Sequence, residues 1–253
     1  MMASRLIVCL DVKGGRVVKG VNFKGLRDLG DPVAMAAQYE QDGADEIVFL
    51  DISASSEERT TLLDTVRATA EHLFVPLTVG GGIRTADDVA AALRAGADKV
   101  SLNTTAVERP EVITAAAERF GSQCVVVSID AAREDGRWRV FTRGGHTPTD
   151  LDAIAWAKEA VARGAGELLV TSIDRDGVRS GYDLDLTQAM AAAVSVPVIA
   201  SGGAGNAVHV VDAFTKGRAS AALVAGILHD GQTTVTELKQ AMAAAGIPTR
   251  RTW

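Results

Sequence analysis

Val75-Pro76-Leu77-Thr78-Val79-Gly80-Gly81-Gly82 is the stretch on which the fold turns. Behind the proline, mostly β-favouring residues make a short buried strand, and three glycines then end it with the backbone bare. The pattern returns as Val196-Pro197-Val198-Ile199-Ala200-Ser201-Gly202-Gly203. Aligned without gaps, residues 75–104 and 196–225 keep Val, Pro, Gly, Gly, Ala, Ala, Gly and Leu in register. Those matches fall on turns and strand starts, so what recurs is structural punctuation.

Outward from both copies, short apolar runs alternate with Ala-rich segments of helical period along the whole chain. Strands are predicted over 5–11, 46–51, 76–80, 98–102, 124–130, 167–172, 196–200 and 220–225. Helices are predicted near 31–43, 58–73, 85–95, 108–120, 150–164, 185–194, 206–216 and 234–245. Asp31-Pro32 and Thr85 with Asp88 supply N-terminal caps, and glycines such as Gly43, Gly96 and Gly164 supply stops. Val125-Val126-Val127-Ser128-Ile129 reads as a strand buried on both faces, as in a parallel sheet flanked by helices.

Eight such units in 253 residues fit a closed (β/α)8 TIM barrel, which takes about 250. A doubly wound open sheet is the alternative, but no Gly-x-Gly-x-x-Gly turn follows the first strand. Gly43-Ala44-Asp45-Glu46 matches Gly164-Ala165-Gly166-Glu167, and Asp11 matches Asp130. Two similar half-barrels of four units explain these offsets. With no linker between them, residues 1–253 are expected to form a single domain.

A net charge of -6 with scattered Lys and Arg leaves no basic footprint for nucleic acid. The first apolar run is too short for a signal peptide, and none reaches the ~18 residues that span a bilayer. A soluble, cytoplasmic protein is expected. Cys9 and Cys124 both lie in apolar strand patterns and are expected as reduced core residues. His72, placed in a helix pattern, His146, His209 and His229 lack metal-ligand spacing, so no metal site is expected. No cofactor is called for, and no Lys falls at the C-terminal end of a strand for Schiff-base chemistry.

Two loops are long for a barrel. Residues 12–30 hold Val17-Val18, a small ribbon, before an expected mobile tip at 23–30 that includes Phe23. Residues 131–149 hold Arg137-Trp138-Arg139-Val140-Phe141 and Gly144-Gly145, a second hairpin. Both follow strands ending in Asp, at the face where barrels carry their chemistry, and are candidate lids or clamps.

Gly at a strand end lets main-chain N–H groups point at a phosphate. One such site combines Gly81-Gly82 with Asn103-Thr104. The other combines Gly202-Gly203 with Ala225-Gly226 and Asp176-Gly177. A matched pair suggests a long substrate phosphorylated at both ends. Asp11 and Asp130 end strands one and five, on opposite sides of an eight-stranded barrel, and suit general acid/base work across the mouth. Lys19, beside Gly20, is either a solvated charge or a ligand for phosphate or carboxamide. At the other face Arg5, Glu46, Lys99 and Glu167 open strands one, two, four and six, and a ring of compensating ion pairs accounts for them.

Several stretches are recognisable. Cys9-Leu10-Asp11-Val12-Lys13, Gly15-Arg16-Val17-Val18-Lys19-Gly20, Gly30-Asp31-Pro32, Thr78-Val79-Gly80-Gly81-Gly82, Ser172-Ile173-Asp174-Arg175-Asp176-Gly177 and Ser180-Gly181-Tyr182-Asp183 closely resemble the cyclase subunits of imidazole glycerol phosphate synthase, of histidine biosynthesis. The resemblance covers essentially the whole chain. It implies a (β/α)8 lyase that takes ammonia and a bisphosphorylated ribulosyl-formimino aminoimidazole carboxamide ribonucleotide to imidazole glycerol phosphate and aminoimidazole carboxamide ribonucleotide. Asp11 and Asp130 carry over as the acid/base pair. Gly82, Asn103 and Thr104 carry over as one phosphate site, and Gly177, Gly203, Ala225 and Gly226 as the other. Lys19, Thr171, Asp176 and Ser201 are further expected substrate contacts. The resemblance also implies a glutaminase subunit docked at the N-terminal face, delivering ammonia through the ring of Arg5, Glu46, Lys99 and Glu167.

Gly14, Val178 and Gly226 depart from the family pattern, where Asp or Asn, Thr and Ser respectively are usual. The second phosphate site thereby loses a hydroxyl. The preceding isomerase of the pathway, which shares the half-barrel repeat and an Asp pair, and a non-catalytic phosphate-binding scaffold are the competing assignments.

Overall fold

A computed structural model describes residues 3–21, 24–52 and 56–250. The chain runs β1 (Arg5–Lys13), β2 (Arg16–Val21), β3 (Lys24–Gly30), α1 (Pro32–Gln41), β4 (Glu46–Asp51), α2 (Ser56–Ala70), β5 (Leu77–Gly80), α3 (Ala86–Arg94) and β6 (Lys99–Leu102). It continues through α4 (Thr104–Glu108), α5 (Glu111–Phe120), β7 (Val125–Glu134), β8 (Arg137–Thr142), β9 (Thr147–Asp152), α6 (Ala153–Ala162) and β10 (Glu167–Ser172). The last elements are α7 (Leu184–Ala193), β11 (Val198–Ser201), α8 (Ala207–Thr215), β12 (Ala221–Val224), α9 (Gly226–His229) and α10 (Val235–Ala244).

Strands β1, β4, β5, β6, β7, β10, β11 and β12 pair in parallel, and β12 returns to β1 to close the barrel. The packing that holds it follows from strand periodicity. Alternate residues of β1, Leu6, Val8 and Leu10, pack outward under the helices in the larger apolar layer. Ile7 and Cys9 join Val48, Val126, Leu169, Ile199, Ala221 and Leu223 in a second cluster that fills the lumen. The helices are capped as their sequences dictate: Asp31 accepts from Ala34 N ahead of Pro32, and Thr85 with Asp88 forms a capping box.

The repeated glycines make the halves equivalent at atomic detail. Gly81 and Gly202 both sit at positive φ, 92° and 85°. A Cβ on Gly81 would lie 2.1 Å from the Asp51 carbonyl oxygen, and one on Gly202 would lie 2.8 Å from that of Ser172. Only Gly permits both the conformation and the approach.

Some boundaries differ from the sequence expectation. β1 and β7 run on past Asp11 and Asp130 and turn back as antiparallel ribbons, β2–β3 and β8–β9. The expected tip is therefore not a loop: Lys24–Gly30 is the strand β3, paired with β2, while Phe23 lies outside the described residues. The helix expected from 150 begins only at Ala153, where Asp152 caps it and β9 ends. The helix expected from 108 begins only at Glu111, as α5; Arg109-Pro110 separates it from the short α4, since the residue before a proline disfavours helical backbone. Cys9 is buried and Cys124 is half-buried; Cys124 lies just before β7 in a 3₁₀ turn, with its Sγ on Phe120 O, rather than inside a strand. His72 lies in the turn after α2. Among the described residues no helix is long and apolar enough to cross a membrane.

Candidate active site

The residues that face the lumen divide into three levels. On β1 the inward series is Arg5, Ile7, Cys9 and Asp11; on β4 it begins with Glu46 and Val48; on β10 it is Glu167, Leu169 and Thr171. Charge lies at the floor, an apolar layer fills the middle, and polar groups line the mouth.

At the floor the four charged residues close into a ring. Arg5 Nη1 donates to Glu46 at 2.9 Å and Arg5 Nη2 donates to Glu167. Lys99 Nζ donates to Glu46 at 2.9 Å and to Glu167 at 2.8 Å. Thr78 Oγ1 adds a hydrogen bond to Glu46 at 2.6 Å. Glu46 and Glu167 are buried. Burial pushes the Glu167 carboxyl up, but Arg5 and Lys99 outweigh it and hold the group below its ordinary range.

At the mouth, Asp11 and Asp130 are half-buried on strands separated by three others in either direction around the barrel. Desolvation raises each to about 6, and the charge of Asp176 adds to the rise at both. Asn103 Nδ2 donates to Asp130 Oδ2 at 2.9 Å and opposes the rise there. Asp176 itself is raised by desolvation, although its residue keeps an exposed surface and its carboxylate accepts from Gly177 N–H. Thr171 lies in register with Asp130 on one side and Ser201 on the other. The charge of Asp176 thus acts on both members of the pair across the opening.

The structure brings the expected residues to this mouth but gives some of them different partners. The Asn103 side chain serves Asp130. The Thr104 hydroxyl accepts from Arg143 N at 2.8 Å, tying the β8–β9 turn to the start of α4. Gly82 and Gly203 both take positive φ, 64° and 102°, at equivalent strand ends. Lys19 Nζ crosses from β2 to Gly226 O at 3.0 Å and to Asp230 at 2.5 Å.

Two features had no sequence signal. Asp230 gathers Lys19, Arg27 and Arg179. His229 donates from Nε2 to Cys9 O at 3.0 Å, which leaves Nδ1 to accept from the Tyr39 hydroxyl at 2.7 Å. Each joins residues far apart in the chain, and neither has a local motif. Among the described residues no group of three or more His, Cys, Asp or Glu is arranged to hold a metal.

Residues 5–234 match the family described as histidine biosynthesis protein. The chain is also 68% identical, over 250 residues covering 99% of both sequences, to the imidazole glycerol phosphate synthase subunit HisF of Myxococcus xanthus (strain DK1622). The chain belongs to the histidine biosynthesis protein family, as a HisF-type cyclase subunit of imidazole glycerol phosphate synthase.

Proposed function

We propose that the barrel mouth performs the cyclase reaction by general acid/base catalysis between Asp11 and Asp130. Ammonia and the bisphosphorylated ribulosyl-formimino aminoimidazole carboxamide ribonucleotide are the substrates, and imidazole glycerol phosphate and aminoimidazole carboxamide ribonucleotide are the products. The observation that carries this assignment is the facing pair of desolvated carboxylates, each raised to about 6. Groups so placed exchange protons near neutrality, where ordinary carboxylates are fully ionised.

Asn103 distinguishes the two. Its N–H favours the ionised form of Asp130, which points to Asp130 as the base and leaves Asp11 to act as the acid. The substrate stretches between two phosphate sites: Gly82, Asn103 and Thr104 at one end, and Gly177, Gly203, Ala225 and Gly226 at the other. Main-chain N–H groups supply the contacts at the bare glycines. Lys19, Thr171, Asp176 and Ser201 line the space between.

The partner is a glutaminase subunit docked beneath the floor, with the ring of Arg5, Glu46, Lys99 and Glu167 as the ammonia entrance. This assignment is supported by the ring's position around the N-terminal strand ends, where four ion pairs join its members.

The test is to incubate the chain with the bisphosphate and an ammonium salt. Both products should appear, and Asp11→Asn or Asp130→Asn should each lower turnover by about a hundredfold or more. Aldose-to-ketose isomerisation alone, or full turnover by either variant, would refute the assignment.

A further inference from the structure

Asp230, the residue that ends α9, receives three cations from two distant segments. Lys19 and Arg27 come from the β2–β3 ribbon, and Arg179 comes from the loop after β10. Lys19 Nζ also reaches Gly226 O. A Cβ built on Gly226 would lie 3.4 Å from Lys19 Nζ and 3.6 Å from Arg179 Nη2. The cations therefore stand over the glycine, on the side where a side chain would otherwise project. Three positive charges and one negative leave a surplus of two, which matches the roughly -2 charge of a phosphate monoester at neutral pH.

The backbone is specialised for this placement. Arg179 takes φ 60°, a left-handed conformation uncommon outside glycine. The other half-barrel carries a reduced version: Arg143, at φ 56°, pairs at 3.6 Å with Glu108, the last residue of α4. In each half the short helix beside the phosphate loop ends at a carboxylate paired with an arginine from a facing loop. The second half, where Gly226 has no hydroxyl to offer, adds Lys19 and Arg27.

We propose that Arg179 and Arg27, with Lys19, are side-chain ligands of the second phosphate, and that Asp230 is the positioning residue that gathers them over Gly226. The proposal rests on the two-phosphate reading of the mouth. Arg27 and Arg179 each use one Nη2 donor on Asp230, and a guanidinium has further N–H groups free for a phosphate oxygen. Charge thus replaces the hydroxyl at this end of the substrate. The ribbon bearing Lys19 is fastened to the same point.

The experiment uses the full chain and the two products, each of which carries one phosphate. Calorimetric titration of Arg179→Ala should weaken one product about tenfold, as expected for loss of a charged hydrogen bond, and leave the other within about twofold. Arg143→Ala, of equal charge change, should spare the product that Arg179→Ala weakens. Asp230→Asn should raise KM for the bisphosphate about five- to tenfold, with the change on KM rather than kcat, and Asp230→Glu should recover part of it. Equal weakening of both products by Arg179→Ala would assign the arginine to general surface potential and overturn the proposal. So would a lower KM in Asp230→Asn, which would make the carboxylate a competitor of the phosphate. If the wild-type chain binds both products and Arg179→Ala changes neither, this proposal fails while the two-phosphate reading stands; if it binds neither, both fail.

Discussion

Burial raises Asp11 and Asp130 to about 6, so at neutral pH each is ionised against its own surroundings. An unfolded carboxylate titrates near 3.9. Between about 4 and 6 the folded protein therefore binds more protons than the unfolded chain, and its stability falls as pH rises through that window. Above the folded value the deficit is complete. Asp11→Asn and Asp130→Asn should each remove it, gaining up to about 3 kcal/mol at pH 7.5 and little near pH 4. Denaturant midpoints of the two variants at the two pH values check this; equal midpoints at pH 7.5 would mean that water in the mouth already solvates both charges. Asp11, Asp130 and the floor ring were legible in the sequence because each ends or begins an apolar run. Asn103 was legible as a neighbour of the site but not as the donor to Asp130, because a strand pattern fixes position along the barrel axis and not the rotamer.

At the scale of elements, the strand-to-glycine turn is the unit that repeats. Gly81→Ala would place a methyl against the Asp51 carbonyl, and should cost at least about 2 kcal/mol. Gly136→Ala, also at positive φ but with no atom within 4 Å of the added carbon, should cost only about 1 kcal/mol. Thermal melts of the two variants separate close approach from backbone conformation. Strand order and most helix spans followed from periodicity and caps. The short α4 and α9 did not, since four or five residues are too few to show a helical period. β9 did not either, because Thr147–Asp152 is mostly polar and holds its place by pairing with β8.

At the scale of the whole molecule, the floor and the rim bear opposite kinds of charge contact. Glu46 is 1% exposed and accepts from Arg5, Lys99 and Thr78. Glu46→Gln should cost about 3 kcal/mol, because it leaves cations partly unpaired in a buried ring, and the cost should persist in high salt. Arg16→Ala, which breaks an exposed pair with Asp28, should not move the denaturant midpoint measurably. The two variants compared at low and high ionic strength test whether the ring supports the barrel.

Closure of the sheet sets the order in which the molecule can be made. β1 is hydrogen-bonded on one side to β4, which follows it closely, and on the other to β12, where Arg5 lies against Ala221. During synthesis one edge of the first strand stays open until almost the whole chain has emerged, and joining it is a long loop closure. Until then the nascent chain is a curved sheet with two exposed edges, prone to pair with other chains. The last bonds to form join the two half-barrels, and the Lys19 to Asp230 contact lies across the same seam. A chain stalled before β12 would therefore hold most of its strands but neither a closed barrel nor the Lys19 to Asp230 contact.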